Sequence, residues 1–319
     1  MRFDLDDQQR DFASSIDGLL GASDVPAAVR AWSDGDTGPG RKVWTALAEL
    51  GVTALTVAEE FDGIDAHPVD LVVAAERLGY WGVPGPVAES IAVAPVLLAG
   101  DERSAALASG DLVATVAMPP HVPRAVDADF AGVVLLAGDG EVSDGAAGDL
   151  HESVDPARRL FDVTATGDAK TADTARAFEF GALVTAALLV GAGQAMLDAS
   201  VEYAKQRTQF GRVIGSYQAI KHKLADVYIA VELARPLLYG AALSLADGSP
   251  DTGRDVSAAK AAASEAALLS ARSSLQAHGA IGFTEEHDLS LLLLRVQALR
   301  SAWGPPTWHR HRVLEGLTS

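Results

Sequence analysis

The chain has 319 residues, 49% of them hydrophobic and 21% charged, a balance that suits a globular protein with a large core divided among two or three packed units. Its 43 acidic residues against 25 basic ones leave a formal net charge of −18. That charge argues against nucleic acid as a partner, because phosphate is repelled. The absence of cysteine excludes a disulfide framework, a thiolate nucleophile and a cysteine-ligated metal centre.

The chain opens with MRFDLDDQQRDFASS, acidic and amphipathic, which does not have the form of a secretory signal. Phe3, Leu5, Phe12, Ile16 and Leu19 fall near one face of a first helix. Trp44, Leu47 and Leu50 mark a second, closed by Gly51, and Leu71, Val72, Ala75 and Leu78 mark a third, stopped at Gly79. Residues 83–98 read as helix again after a proline and glycine break. The expectation is an N-terminal helical domain over residues 1–110. The periodicity then changes. LVATVAM, GVVLLAG and LFDVTATG are short apolar strand-like runs, with Asp139-Gly140 as a hairpin signal, so residues 111–168 are expected to form a small β domain.

From residue 169 to 319 the pattern is helical. Long helices are expected over about 173–209, 218–245 and 255–278, a fourth from near Glu285 to about Arg300, and a short one after Pro306. Long helices joined by short links predict an antiparallel bundle. Residues 182–190 form a strongly apolar stretch, too short to span a bilayer and expected as buried core. The fold class is mainly α with a small β domain.

Two motifs stand out in this C-terminal half. The first, YAKQRTQFGRVIGSYQAIKHKLAD over residues 203–226, joins two helices through a cationic, glycine-bounded link. The fork of Arg207, the polar Gln209 and Gln218 and the ring of Phe210 suit a planar phosphorylated ligand, and a plain helix hairpin with a solvated arginine fits the pattern equally well. The second motif is QAHGAIGFTEEHD, residues 276–288. In this order and spacing, both runs closely resemble the two C-terminal signatures of the acyl-CoA dehydrogenase family. The resemblance covers about half of the chain, from Ala175 to roughly Arg300.

The resemblance implies FAD as cofactor and an acyl-CoA as substrate, dehydrogenated between the α and β carbons with a glutamate as base. It also locates the two positions at which that glutamate occurs. One falls on Trp303 here and the other on Gly181, so the chain is expected to lack its own base. Glu179, two residues from the second position and turned to another side of its helix, is the fallback. By the resemblance, Arg207, Phe210 and Gln218 match residues that hold the adenine-diphosphate half of the flavin across a subunit interface, with Gln209 as a nearby donor, and Gln276 and Gly279 belong to the second signature, which lies close to the same phosphates. The family's final glycine in the second signature is Ala280. The flavin-contacting stretch of the middle domain has no counterpart, and MPPHVPRAV, residues 118–126, stands in its place. His222, His309 and His311 lack metal-ligand spacing with a carboxylate.

The resemblance, with the EHDLSLLLLR run at 286–295, implies a heteromeric α2β2 enzyme acting on steroid side-chain CoA esters. In such an enzyme a larger homologue carries the base and this chain completes its FAD site. A self-sufficient homo-oligomer using Glu179 and a non-enzymatic oligomerisation scaffold are the alternatives. The expected setting is cytoplasmic, without a membrane span, with an electron-transferring flavoprotein as acceptor.

Overall fold

The computed structural model describes residues 5–318. Its N-terminal region contains α1 (Asp7–Gly21), α2 (Val25–Ser33), α3 (Gly38–Glu49), α4 (Pro68–Trp81), a short α5 (Ala94–Leu97) and α6 (Arg103–Ser109). A capping box opens α1: Asp6 accepts from the Gln9 amide and the Gln9 side chain accepts from the Asp6 amide, which satisfies donors that the first turn leaves free. Ile16 and Leu20 of α1 are buried. Phe3 lies outside the described residues.

The third expected helix runs through Gly79 and ends at Gly82, in the left-handed region with φ 68°. Gly79 serves a packing role rather than a stop. A Cβ there would sit 2.2 Å from the Leu188 carbonyl oxygen, on the long helix α7 (Thr174–Gln206). The stretch expected as one helix up to residue 98 contains a π-helical turn, Glu89–Val93, immediately before α5.

The middle region is a six-stranded sheet of β1 (Ala114–Ala117), β2 (Ala125–Val126), β3 (Val133–Gly138), β4 (Glu141–His151), β5 (Leu160–Ala165) and β6 (Lys170–Thr171). The order is β1-β3-β4-β5-β2, with β6 paired to β4. Only the β1–β3 pair is parallel. The β3–β4 turn places Asp139 at φ 52° and Gly140 at φ 80°, both left-handed as a two-residue type I′ hairpin requires. Most of β4 is exposed and lacks apolar alternation, so it left no sequence signal. Pairing with β3, β5 and β6 holds it.

The C-terminal bundle comprises α7, α8 (Gln218–Ala246), α9 (Thr252–His278), α10 (Leu289–Ser301) and α11 (Pro306–Thr318). The β7–β8 ribbon, Thr208–Gln209 paired with Arg212–Val213, links α7 to α8. α10 starts later than expected, leaving Glu285 and Glu286 exposed in the preceding turns. Both α7 and α8 are long and apolar enough by composition to cross a membrane, yet 94% of the most apolar α7 window is buried inside the protein. It is a core helix, contacted by α4, α8, α9 and α10. Gly191 brings α4 close: a Cβ there would lie 1.9 Å from the Glu76 carbonyl oxygen. At the same crossing Arg235 of α8 reaches Glu76 of α4 at 3.1 Å and Gln194 of α7 at 3.2 Å.

Candidate functional site

The first and third helices of the bundle end side by side. Ser270 and Ser274 of α9 donate to the carbonyls of Gly193 and Met196 in α7, at 2.7 and 3.0 Å. One turn from the end of α7, Tyr203 stacks on His278, the last residue of α9, with ring centroids 4.3 Å apart. The β7–β8 ribbon and the turn at 279–283 therefore leave the bundle at one end, which brings Arg207, Gln209, Phe210 and Gln218 to the same end as Gln276 and Gly279. All six are exposed.

The ribbon is held by its own backbone. The Ile214 amide donates to the Arg207 carbonyl at 2.8 Å, the Tyr217 hydroxyl to the Gln209 carbonyl at 3.3 Å, and the Arg212 guanidinium lies 3.9 Å from the Tyr217 ring centroid. Phe210 adopts φ 52°, uncommon for a bulky residue, and its ring is 93% exposed. Among the described residues, the side chains of Arg207, Gln218 and Gln276 have no hydrogen-bond partner. Gly279 is left-handed at φ 66°, and a Cβ there would meet nothing within 4 Å. Free donors around an open backbone turn fit a phosphorylated ligand, so this end suits the diphosphate half of FAD.

The two positions at which a base was expected by resemblance, Trp303 and Gly181, meet in the fold. Trp303 follows α10 with its side chain buried and its backbone left-handed at φ 56°. Its indole lies against Gly181 of α7, where a Cβ would fall 2.5 Å from the ring. The Trp303 Nε1–H donates to Glu89 Oε1 at 3.1 Å, and Glu89 is itself buried in the π-helical turn. The fallback base, Glu179, is gripped by Arg312 of α11, whose Nη1 and Nη2 donate to its two carboxylate oxygens. Phe178 packs edge to ring on Trp303 and Trp308, and His121 lies tilted against Phe178 and Trp308.

Two buried groups fix the turn that carries Trp303. Lys260 of α9, wholly inaccessible, donates to the carbonyls of Leu299 and Arg300 at 3.2 and 3.1 Å, capping the end of α10. Burial, helped by the Arg300 charge, lowers its ammonium from 10.5 to about 7. His309 is also fully buried, 2.8 Å from the Trp303 carbonyl and 3.1 Å from Ser257 Oγ. A carbonyl only accepts, so Nε2 carries the proton and Nδ1 accepts from Ser257. Burial, then the Lys260 charge, pushes this imidazole down to about 3, so it is neutral. Sequence reasoning missed Glu89, Lys260 and His309 as parts of this site. None belongs to a motif, and only the fold brings residues this far apart together.

The 118–126 loop faces Trp303 across a cavity of about 300 Å³. Thus the segment where the flavin-contacting loop was expected, and the residue at an expected base position, line one space.

Comparison with known proteins accounts for this architecture. Residues 6–106 match the N-terminal domain model of acyl-CoA dehydrogenases and residues 172–318 match the C-terminal domain model. Acyl-CoA dehydrogenase IpdE2 of Mycolicibacterium smegmatis is 33% identical over 294 residues, covering 90% of this chain and 92% of that protein. The chain belongs to the acyl-CoA dehydrogenase family. Among solved structures, the fold matches a chain of the ChsE4–ChsE5 complex from Mycobacterium tuberculosis with a TM-score of 0.86 at 21% identity, over 100% of this chain and 99% of that one. A variant of the Tcur3481–Tcur3483 steroid ACAD matches at 0.85 and 19% identity over 98% of each. The family consists of FAD-binding flavoproteins.

Proposed function

We propose that this chain is the non-catalytic subunit of a heteromeric acyl-CoA dehydrogenase, completing the FAD site of a larger homologue in an α2β2 assembly. One observation carries the reading: the Trp303 indole rests on Gly181, so a single side chain occupies the space between both positions at which the family keeps its glutamate. Glu179 is tied to Arg312, which argues against its serving as a substitute base. Arg207, Gln218, Gln276 and the open turn at Gly279 instead point outward, toward a diphosphate held by the partner chain. The bound flavin would supply the hydride acceptor, and this chain's residues would bind and orient its phosphates. The ring of Phe210 and the exposed Phe283 are surfaces that such a partner would cover.

We read the substrate as a bulky, steroid-derived CoA ester, in keeping with the Tcur3481–Tcur3483 neighbour, a steroid ACAD. We place the assembly in the cytoplasm, with an electron-transferring flavoprotein as its acceptor. The test is co-expression with a longer homologue that has the glutamate. The pair is expected to copurify with flavin, and Arg207→Ala to weaken flavin retention by about tenfold, as loss of a charge-assisted hydrogen bond implies. Acyl-CoA oxidation by the purified chain alone would overturn the assignment. So would flavin retention in the pair that is indifferent to Arg207.

A further inference from the structure

The cavity between the 118–126 loop and α10 has a feature that the flavin reading leaves unused. Arg158, in the loop before β5, lines it and is only 8% exposed. Its neighbours in sequence and space are paired with others: Asp155 with Arg295, and Asp127 with Arg159 at 3.5 Å. Asp127 feels the Arg158 charge, yet the Arg158 guanidinium has no hydrogen-bond or ion-pair partner among the described residues. A buried guanidinium without an acceptor is costly, and Arg158 lines this cavity and a much smaller one on the side of Leu188 and Arg295.

The cavity walls define the acceptor further. Val122, Val126, Leu160, Ala298, Ala302 and Trp303 make most of them apolar. The other cation on the lining, Arg124, is engaged by Asp162 at 3.0 Å. His121 is held toward its neutral form by burial and then by the Arg312 charge. Glu89, whose Oε2 is buried without a partner, and Glu152 also line the space, so any anion there works against two carboxylates and a dianion fits worse than a monoanion. A volume of about 300 Å³ is at the lower end for small-molecule sites.

We propose that this cavity binds a small organic monocarboxylate, its carboxylate paired with Arg158 and its apolar body against Ala298, Ala302 and Trp303. The site shares no residue with the hairpin end of the bundle, so it stands or falls independently of the flavin assignment.

The test is titration calorimetry, with thermal shift alongside, on the full chain using phenylacetate and hexanoate as probes. Each acid is expected to bind at one site per chain and to raise the melting temperature. Phenylacetamide and hexanamide, which keep the shape and lose the charge, are expected to bind at least about tenfold more weakly, as is inorganic phosphate. Arg158→Gln is expected to remove the preference for acid over amide, and Arg158→Lys to keep part of it. No binding of either acid at millimolar concentration would overturn the proposal. Equal binding of acid and amide would overturn it too, with no variant needed. Phosphate binding as tightly as the acids would refute an organic ligand.

Discussion

Trp303 lies in a conformation that a bulky residue rarely takes, and four separate contacts hold it there. Its carbonyl accepts from His309, its indole donates to Glu89, its ring covers Gly181, and Lys260 closes the helix end before it. Adding one methyl group at Gly181 forces it into the ring. Gly181→Ala is expected to destabilise the chain by about 1–3 kcal/mol, the usual range for overpacking a dense core. The loss should shrink in a Trp303→Leu background; denaturant titration of the single and double variants measures that coupling. Lys260 supplies a pH signature. Its folded value, about 7, lies below its ordinary value of 10.5, so between these limits the unfolded chain binds a proton that the folded chain does not. Stability from this group therefore rises with pH across that window and is lost as pH falls toward 7, by at most about 1.4 kcal/mol per pH unit. Lys260→Met should flatten the rise relative to wild type in chemical denaturation between pH 7 and pH 10, weakening the fold at pH 10, where the uncharged amine still caps α10, by about 1–3 kcal/mol through the carbonyls it leaves unpaired, and by less at pH 7.

Among the elements, the crossing of α4, α7 and α8 joins close backbone packing to a buried charge. Gly79 and Gly191 let α7 and α4 approach until no side chain fits between them. Such contact leaves Glu76 with little solvent, and burial raises its carboxyl above the ordinary range despite the opposing pull of Arg235. Removing the guanidinium would strand that carboxylate. Arg235→Met is expected to destabilise by about 3–5 kcal/mol at neutral pH. The loss should diminish as pH falls and Glu76 takes up a proton, which urea denaturation at pH 5 and pH 8 would reveal. An equal loss at both values would mean that packing, not charge, is what Arg235 provides.

Across the molecule, α7 and α8 have similar apolar composition but different surroundings. The α7 window is 94% buried and the α8 window 39%. On α8, Ile229, Leu233 and Leu237 recur every four residues and remain exposed, forming one helix stripe. A stripe of this kind on a chain proposed as half of an assembly is a natural subunit contact. Leu233→Glu is expected to leave the circular dichroism and melting of the isolated chain within about 0.5 kcal/mol of wild type, as for other surface changes. It should lower recovery of the partner in a pull-down and shift the complex to smaller species in size-exclusion chromatography. Unchanged assembly would remove α8 from the interface.

Much of this was legible from the residues. Helical periodicity gave the bundle to within a few residues at most helix ends, and Asp139-Gly140 marked its hairpin, because these signals are local. The paired motifs at 203–226 and 276–288 identified the family, and the resemblance drew attention to Trp303 and Gly181, which the fold brings into contact. Local signals failed where distant segments decide the outcome. Gly79 reads as a stop until α7 is seen pressed against it, and β4 reads as loop because only its neighbouring strands hold it extended. The sequence alone determined the fold class and the family. The tertiary structure alone decided that the Trp303 indole rests on Gly181, that Lys260 and His309 brace it, and that Arg158 faces a cavity without a partner. Those features depend on contacts between residues far apart in the chain, and burial, which sets their energetics, exists only once the chain has folded.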